Sequence, residues 1–202
     1  MRDLVVLVPD KNTEYVIRGG LGRAESLGIR PVDFQIIVDP GRDGGVRRRG
    51  SQILAIQRRE FAHAVLMFDY DGSGADDPPA ELEKLLDRGL SDSWGTHAKA
   101  IVIEPEIDIW MWGAETHIKE VVDWPSPQGI RDWLQSQAFH FNEQGKPERP
   151  KEALQAVFRQ AQIPRSSAHY QALARRLSVA RCQDAAFLRL RDALVGWFGR
   201  VT

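Results

Sequence analysis

The sequence predicts an α/β fold, a mostly parallel sheet of about four strands with flanking helices and a helical C-terminal extension. Three observations carry the prediction. Short β-branched runs recur between turn formers, they are apolar almost throughout, and amphipathic helical patterns separate them. Near-continuous apolarity means that both faces of each strand are covered, as in sheets built from βαβ units. The alternation of strand with helix then points to a doubly wound arrangement.

The four expected strands are Asp3 to Val8, Val32 to Val38, Ala64 to Phe68 and Lys99 to Ile103. Between the first two, Glu14 to Leu27 places Val16, Ile17, Leu21 and Leu27 at helical spacing. Ser51 to Phe61 does the same with Ile53, Leu54, Ile56 and Phe61, and Pro78-Pro79 opens a helix through Leu82, Leu85, Leu86 and Leu90. Proline suits the first helical positions because their N–H groups have no partner within the helix. After Glu104 only helical patterns remain: Ile107 to Ala114, Pro127 to Gln137, Lys151 to Ala161, Ser166 to Leu177 and Asp184 to Phe198. Phe141 to Pro150, punctuated by glycine and proline, reads as a loop. The expected organisation is an α/β core over residues 1–112 and a helical extension over 113–202, packed on the same domain.

Composition narrows the classes. Of 202 residues, 43% are hydrophobic and 27% charged, a balance that supports a packed core and excludes a disordered chain. Lys and Arg total 27 against 28 Asp and Glu, so the molecule as a whole has no attraction for nucleic acid or anionic membrane. Cys182 is the single cysteine and cannot form an internal disulfide, which fits a reducing compartment. No apolar run approaches the roughly 18 residues of a membrane span. A soluble, cytoplasmic protein with no membrane partner is expected.

The chemistry is sought where open α/β sheets bind ligands, outside the carboxyl ends of the strands. Strand one leads into Pro9-Asp10, with Glu14 four residues on; strand three into Asp69-Tyr70-Asp71-Gly72; strand four into Glu104-Pro105-Glu106-Ile107-Asp108. Each pair alone is explained by helix capping or turn formation. Three pairs on one edge repel one another, and a bound divalent cation removes that cost. Mg²⁺ suits a set of carboxylates that lacks His and Cys.

Asp69-Tyr70-Asp71-Gly72-Ser73-Gly74 admits three readings. An EF-hand loop is excluded, because its twelfth position is Ala80 rather than Glu and an apolar strand precedes it. An aspartate nucleophile at Asp69 with Asp71 as acid/base fits locally. A metal-binding Asp-x-Asp pair fits equally well.

Two other features bear on partners. Gly41-Arg42-Asp43-Gly44-Gly45-Val46-Arg47-Arg48-Arg49 reads as a flexible basic loop whose Arg47, Arg48 and Arg49 suit a phosphate backbone, against the plainer alternative of a solvated loop. The six tryptophans read mostly as core rather than as base-stacking platforms.

In order along the chain, these acidic motifs resemble a Toprim-like family related to the nuclease half of overcoming-lysogenization-defect enzymes, and in particular small components of bacterial methylation-associated phage-defence systems. The family's Val-Glu-Gly-x-Thr-Glu pattern aligns with Val8-Pro9-Asp10-Lys11-Asn12-Thr13-Glu14, where Asp10 replaces the first Glu and Lys11 replaces the glycine. Its Asp-x-Asp aligns with Asp69 and Asp71, and its Glu-Ile-Glu-Ala-Trp with Glu106-Ile107-Asp108-Ile109-Trp110. A Pro-Lys pair recurs at Pro150-Lys151, and a C-terminal helical stretch matches Ala180-Arg181-Cys182 through Phe187 and Leu194.

The resemblance implies metal-assisted phosphodiester chemistry. Asp10, Glu14, Asp69, Asp71, Glu106 and Asp108 would hold one or two Mg²⁺ ions, and Lys151 would neutralise charge on the phosphoryl group. Glu14, Asp69, Asp71 and Lys151 are then the expected catalytic residues, in a nuclease acting with partner proteins of a defence operon. The alternative is a catalytically degenerate Toprim-like module that binds a partner protein or nucleic acid, in keeping with the absence of any P-loop from this sequence. A phosphatase with Asp69 as nucleophile stands third.

Overall fold

The computed structural model describes residues 1–179 and 181–200. The chain runs β1 (Arg2–Val8), α1 (Lys11–Leu21), a single turn α2 (Ala24–Leu27), β2 (Phe34–Val38), α3 (Arg42–Gln57), β3 (Phe61–Asp69), α4 (Pro79–Trp94) and β4 (Ala98–Ile103). Helices follow: α5 (Asp108–Met111), α6 (Glu115–Val122), α7 (Ile130–Ser136), α8 (Pro150–Gln160), α9 (Ser167–Ala174) and α10 (Ala185–Phe198). Ala180, at the head of the resembling C-terminal stretch, lies outside the described residues.

The four strands form one parallel sheet in the order β2-β1-β3-β4, with Val6 opposite both Ile36 and Val65. Because the chain leaves β1 toward β2 and returns to β3 on β1's other side, direction reverses at the β1–β3 boundary. A crevice at the carboxyl ends of these two strands is the expected ligand position.

Side chains alternate between two cores, as the pleat requires. Val5, Leu7, Leu66 and Phe68 face α3 and α4, in a cluster with Val46, Leu54, Leu82 and Leu86. Leu4, Val6, Val65, Met67 and Ile101 face the opposite way, toward α1 and the C-terminal helices. That second cluster is continuous from Leu4 to Phe198.

The Gly41–Arg49 segment departs from the sequence expectation. It is no flexible loop but the N-terminal half of α3, a sixteen-residue helix. Its glycines mark close approach rather than mobility. A Cβ on Gly50 would lie 2.5 Å from Leu66 Cδ1, and one on Gly45 only 3.0 Å from Asp39 Oδ1. Phe61, expected as the last apolar residue of that helix, instead begins β3. A further short helix, α6, appears where no pattern was read, stabilised in part by Ile118 and Val122 in the core. No helix among the described residues is long and apolar enough to cross a membrane.

Candidate functional site

The carboxyl edge of the sheet collects acidic side chains from four places. After β1, Asp10 is the N-cap of α1, with extended backbone and Oδ1 accepting from Thr13 N at 2.9 Å and Thr13 Oγ1 at 3.1 Å. This is the ordinary chemistry of a helix start. Glu14, one turn on, is buried, but cations of its own helix take its carboxylate. Arg18 Nη2 lies 2.8 Å from Oε1 and Lys11 Nζ 3.1 Å from Oε2. Burial works to raise its pKa, yet the Arg18 and Lys11 hydrogen bonds outweigh it and the net shift is downward.

Asp69 is the last residue of β3 and is 8% exposed. Its Oδ1 accepts from Ile107 N at 2.8 Å, and its own N–H donates to Asp43 Oδ1 at 3.0 Å. Burial, then the charges of Asp43, Asp108 and Glu106, push its pKa well above the usual carboxylate range. Asp43 is itself raised by burial, with Asp10 adding repulsion. Asp108 opens α5, 3% exposed, and accepts from Tyr170 Oη at 2.9 Å. Burial and the neighbouring Glu106 raise its pKa to about 6.

Among these carboxylates stands one amine. Lys151, at the start of α8, donates Nζ to Glu106 Oε2 at 3.0 Å, while its backbone N–H donates to Oε1 at 3.1 Å. Burial lowers the lysine's pKa, but the hydrogen bond and charge of Glu106 more than compensate, so it stays cationic.

The fold thus gathers Asp69, Glu106, Asp108 and Lys151, with Asp10 near enough to act on Asp43 electrostatically. It does not turn Glu14 or Asp71 into that group. Glu14 pairs along α1, and Asp71 is exposed in the turn after β3, its N–H donating to Pro105 O at 3.0 Å. The arginines expected on a free loop are spread along α3. Arg49 pairs with buried Asp39, Arg47 Nε donates to Ser73 O at 3.0 Å, and Arg48 is exposed.

Asp43 and Tyr170 are the members that sequence reasoning missed. A signal for Asp43 existed, because Asp39 and Asp43 repeat after β2 the spacing of Asp10 and Glu14 after β1. Tyr170 carried none, since it reaches Asp108 from a helix sixty-two residues away.

Among the described residues no three His, Cys, Asp or Glu groups are already arranged to hold a metal ion. The donor chemistry nevertheless fits Mg²⁺. Asp43, Asp69 and Asp108 each commit Oδ1 to the protein, and among the described residues Oδ2 of each accepts no hydrogen bond. Hard oxygens from one or two carboxylates, completed by water and phosphate, are the usual Mg²⁺ environment. Glu106, with both oxygens on Lys151, fits less well as a ligand than as the anchor of that lysine.

Among solved structures, the chain is similar to the C-terminal region of the Burkholderia pseudomallei OLD protein. The two are 13% identical and superpose with a TM-score of 0.50, over 96% of this chain and 97% of that one. The fold is Toprim-like. No family model and no curated protein matches the sequence.

The raised carboxylates have a consequence for stability. Asp108 has a folded-state pKa of about 6 against an ordinary 3.8, so the folded state binds this proton more readily than the unfolded chain. Its charge opposes folding above about pH 6, and that cost fades as pH falls toward 3.8. Asp108→Asn, which retains an oxygen for Tyr170, is expected to stabilise the protein by about 1–3 kcal/mol at pH 8 and by little near pH 4. Urea unfolding of both proteins at the two pH values measures this.

Proposed function

We propose that this chain is a Mg²⁺-dependent Toprim-like phosphodiesterase that cleaves nucleic acid, acting with partner proteins in a bacterial anti-phage defence system. The observation carrying the reading is the convergence of Asp43, Asp69 and Asp108 at the carboxyl edge of the sheet, beside the Lys151–Glu106 pair. The charges of Asp43, Asp108 and Glu106 add to burial in raising the pKa of Asp69, and that of Glu106 does the same for Asp108, a cost that a packing role alone does not require. The likeness to the OLD C-terminal region and the order of the acidic motifs support the reading.

In this proposal Asp43, Asp69 and Asp108 hold the ion, with Asp10 beside them. When bound, Mg²⁺ supplies charge stabilisation for a phosphoryl group and a more acidic water. The protein's own part is positioning. Glu106 fixes Lys151 by two hydrogen bonds, so the ammonium is held at the edge of the acidic group, where it can meet a non-bridging phosphate oxygen. Tyr170 holds the Asp108 carboxylate by a hydrogen bond to Oδ1, and Ile107 N does the same for Asp69.

The test is cleavage of supercoiled plasmid by purified protein. Open-circular or linear product in Mg²⁺ or Mn²⁺, and none in EDTA, is the expected result; intact plasmid under every condition, alone and with its operon partners, refutes the nuclease.

A second reading, a degenerate module that binds a partner, is favoured by one specific observation. Glu14, expected as a catalytic ligand, is held by Lys11 and Arg18. Under that reading, Lys11→Ala and Arg18→Ala leave the plasmid intact; under the first, freeing Glu14 changes the cleavage rate.

A further inference from the structure

Beside the acidic group lies a cleft of about 470 Å³ between the start of α1, the start of α3 and the start of α9. Lys11 and Asn12 line it from the first, Arg42 from the second, and Arg165 with Ser167 from the third. The volume suits one nucleotide, since small-molecule sites fall at roughly 300–1,000 Å³.

Its charge is biased toward an anion. Two carboxylates also line it, one ion-paired and the other committing one oxygen to a helix cap. Asp39 is ion-paired with Arg49 and accepts from Gly41 N at 2.6 Å, while Asp10 caps α1. Lys11 is shared with Glu14. Arg42 and Arg165 are exposed, and among the described residues neither forms an ion pair. Two guanidiniums without an ion-pair partner among the described residues face one opening, Arg42 free and Arg165 within reach of Tyr170 and the Asp108 charge, and the N-termini of three helices add their positive ends.

Arg42 is also the one cleft residue in an unfavourable backbone conformation. It has φ of 51°, a left-handed value that glycine adopts readily and a long side chain does not. Glycines stand immediately before it and two residues after, so an arginine here is retained against the preference of the turn. Its side chain makes no hydrogen bond among the described residues that accounts for it, and strain of this kind collects at ligand sites.

We propose that this cleft is a phosphate subsite, in which Arg42 and Arg165 hold the phosphate of a nucleotide unit of the substrate while the neighbouring phosphodiester lies at the acidic group. The proposal rests on the nuclease reading for its second half only; the anion site stands by itself. Asn12 and Ser167, which also line the cleft, are joined by a hydrogen bond from Ser167 Oγ to Asn12 Oδ1 at 2.9 Å. The phosphate is either a strand-terminal group or an internal diester, and the chemistry that binds it is the same.

The experiment is fluorescence anisotropy with a short single-stranded oligodeoxynucleotide in EDTA, so that no cleavage enters. One probe carries a 5′-phosphate and its twin a 5′-hydroxyl. Arg42→Gly and Arg165→Ala together are expected to weaken binding at least about tenfold and to flatten the dependence of log affinity on log salt by about one unit. A loss confined to the phosphorylated probe identifies a terminal phosphate, and an equal loss with both identifies an internal one. Arg42→Gly alone is expected to leave thermal stability unchanged or higher, because glycine suits the backbone there, while still weakening binding. Unchanged affinity and salt dependence in the double variant overturn the subsite. If the wild type binds through these arginines yet never cuts, the subsite stands and the nuclease falls; if it cuts while the double variant binds normally, the reverse holds.

Discussion

Asp69→Asn is expected to lower metal-dependent cleavage by at least about a hundredfold while making the protein more stable. Mutations of groups that stabilise charge at a reacting centre commonly cost on that order. The rise in stability follows from position. Asp69 is 8% exposed and surrounded by Asp43, Asp108 and Glu106, so its ionised form is disfavoured in the folded state. Asparagine removes the charge and keeps an oxygen for Ile107 N. Opposite signs in the two readouts separate this residue from a packing residue, whose loss lowers both. Nicking rates and thermal denaturation at pH 8 measure the pair. Equal activity with unchanged stability would place Asp69 outside any functional group.

The second large effect is structural. Trp110→Ala is expected to cost about 3–5 kcal/mol, in the range for deleting a buried aromatic side chain. Trp110 is 1% exposed; its Nε1 donates to Asp184 Oδ1 at 2.8 Å and its ring meets Phe187 edge-on at 5.3 Å. Asp184 also caps α10 through Phe187 N at 3.0 Å. One indole therefore ties the turn bearing Asp108 to the last helix, and its loss loosens both. Trp110→Phe keeps most of the ring contact and is expected to cost about 1–2 kcal/mol. Chemical denaturation of the two variants against wild type reads both values.

The two central strands, β1 and β3, were legible because burial on both faces demands apolar runs, and nothing polar interrupts Leu4 to Val8 or Ala64 to Phe68. Asp69, Glu106 and Asp108 were legible for the opposite reason, since carboxylates directly after such runs must stand at the sheet's carboxyl edge. What the sequence hid was partnership. Glu14 has the right spacing, yet Lys11 and Arg18 at helical distance claim it, and the spacing of a motif does not reveal which neighbour prevails. The α3 error has a similar cause. Glycines at 41, 44 and 45 read as flexibility in one dimension, whereas Gly45 is set by the nearness of Asp39. Asp43 was lost along with that helix. Tyr170 was invisible for want of any local pattern linking it to Asp108.

Cation binding itself tests the centre of this account most directly. Mn²⁺, a paramagnetic substitute for Mg²⁺, can be titrated into the metal-free protein and followed by electron paramagnetic resonance. Wild type is expected to bind one or two ions, with affinity lost in Asp43→Asn combined with Asp69→Asn and kept in Asp71→Asn, which alters only an exposed turn residue. No bound Mn²⁺ in the wild type, or equal binding by the Asp43, Asp69 double variant, would contradict it.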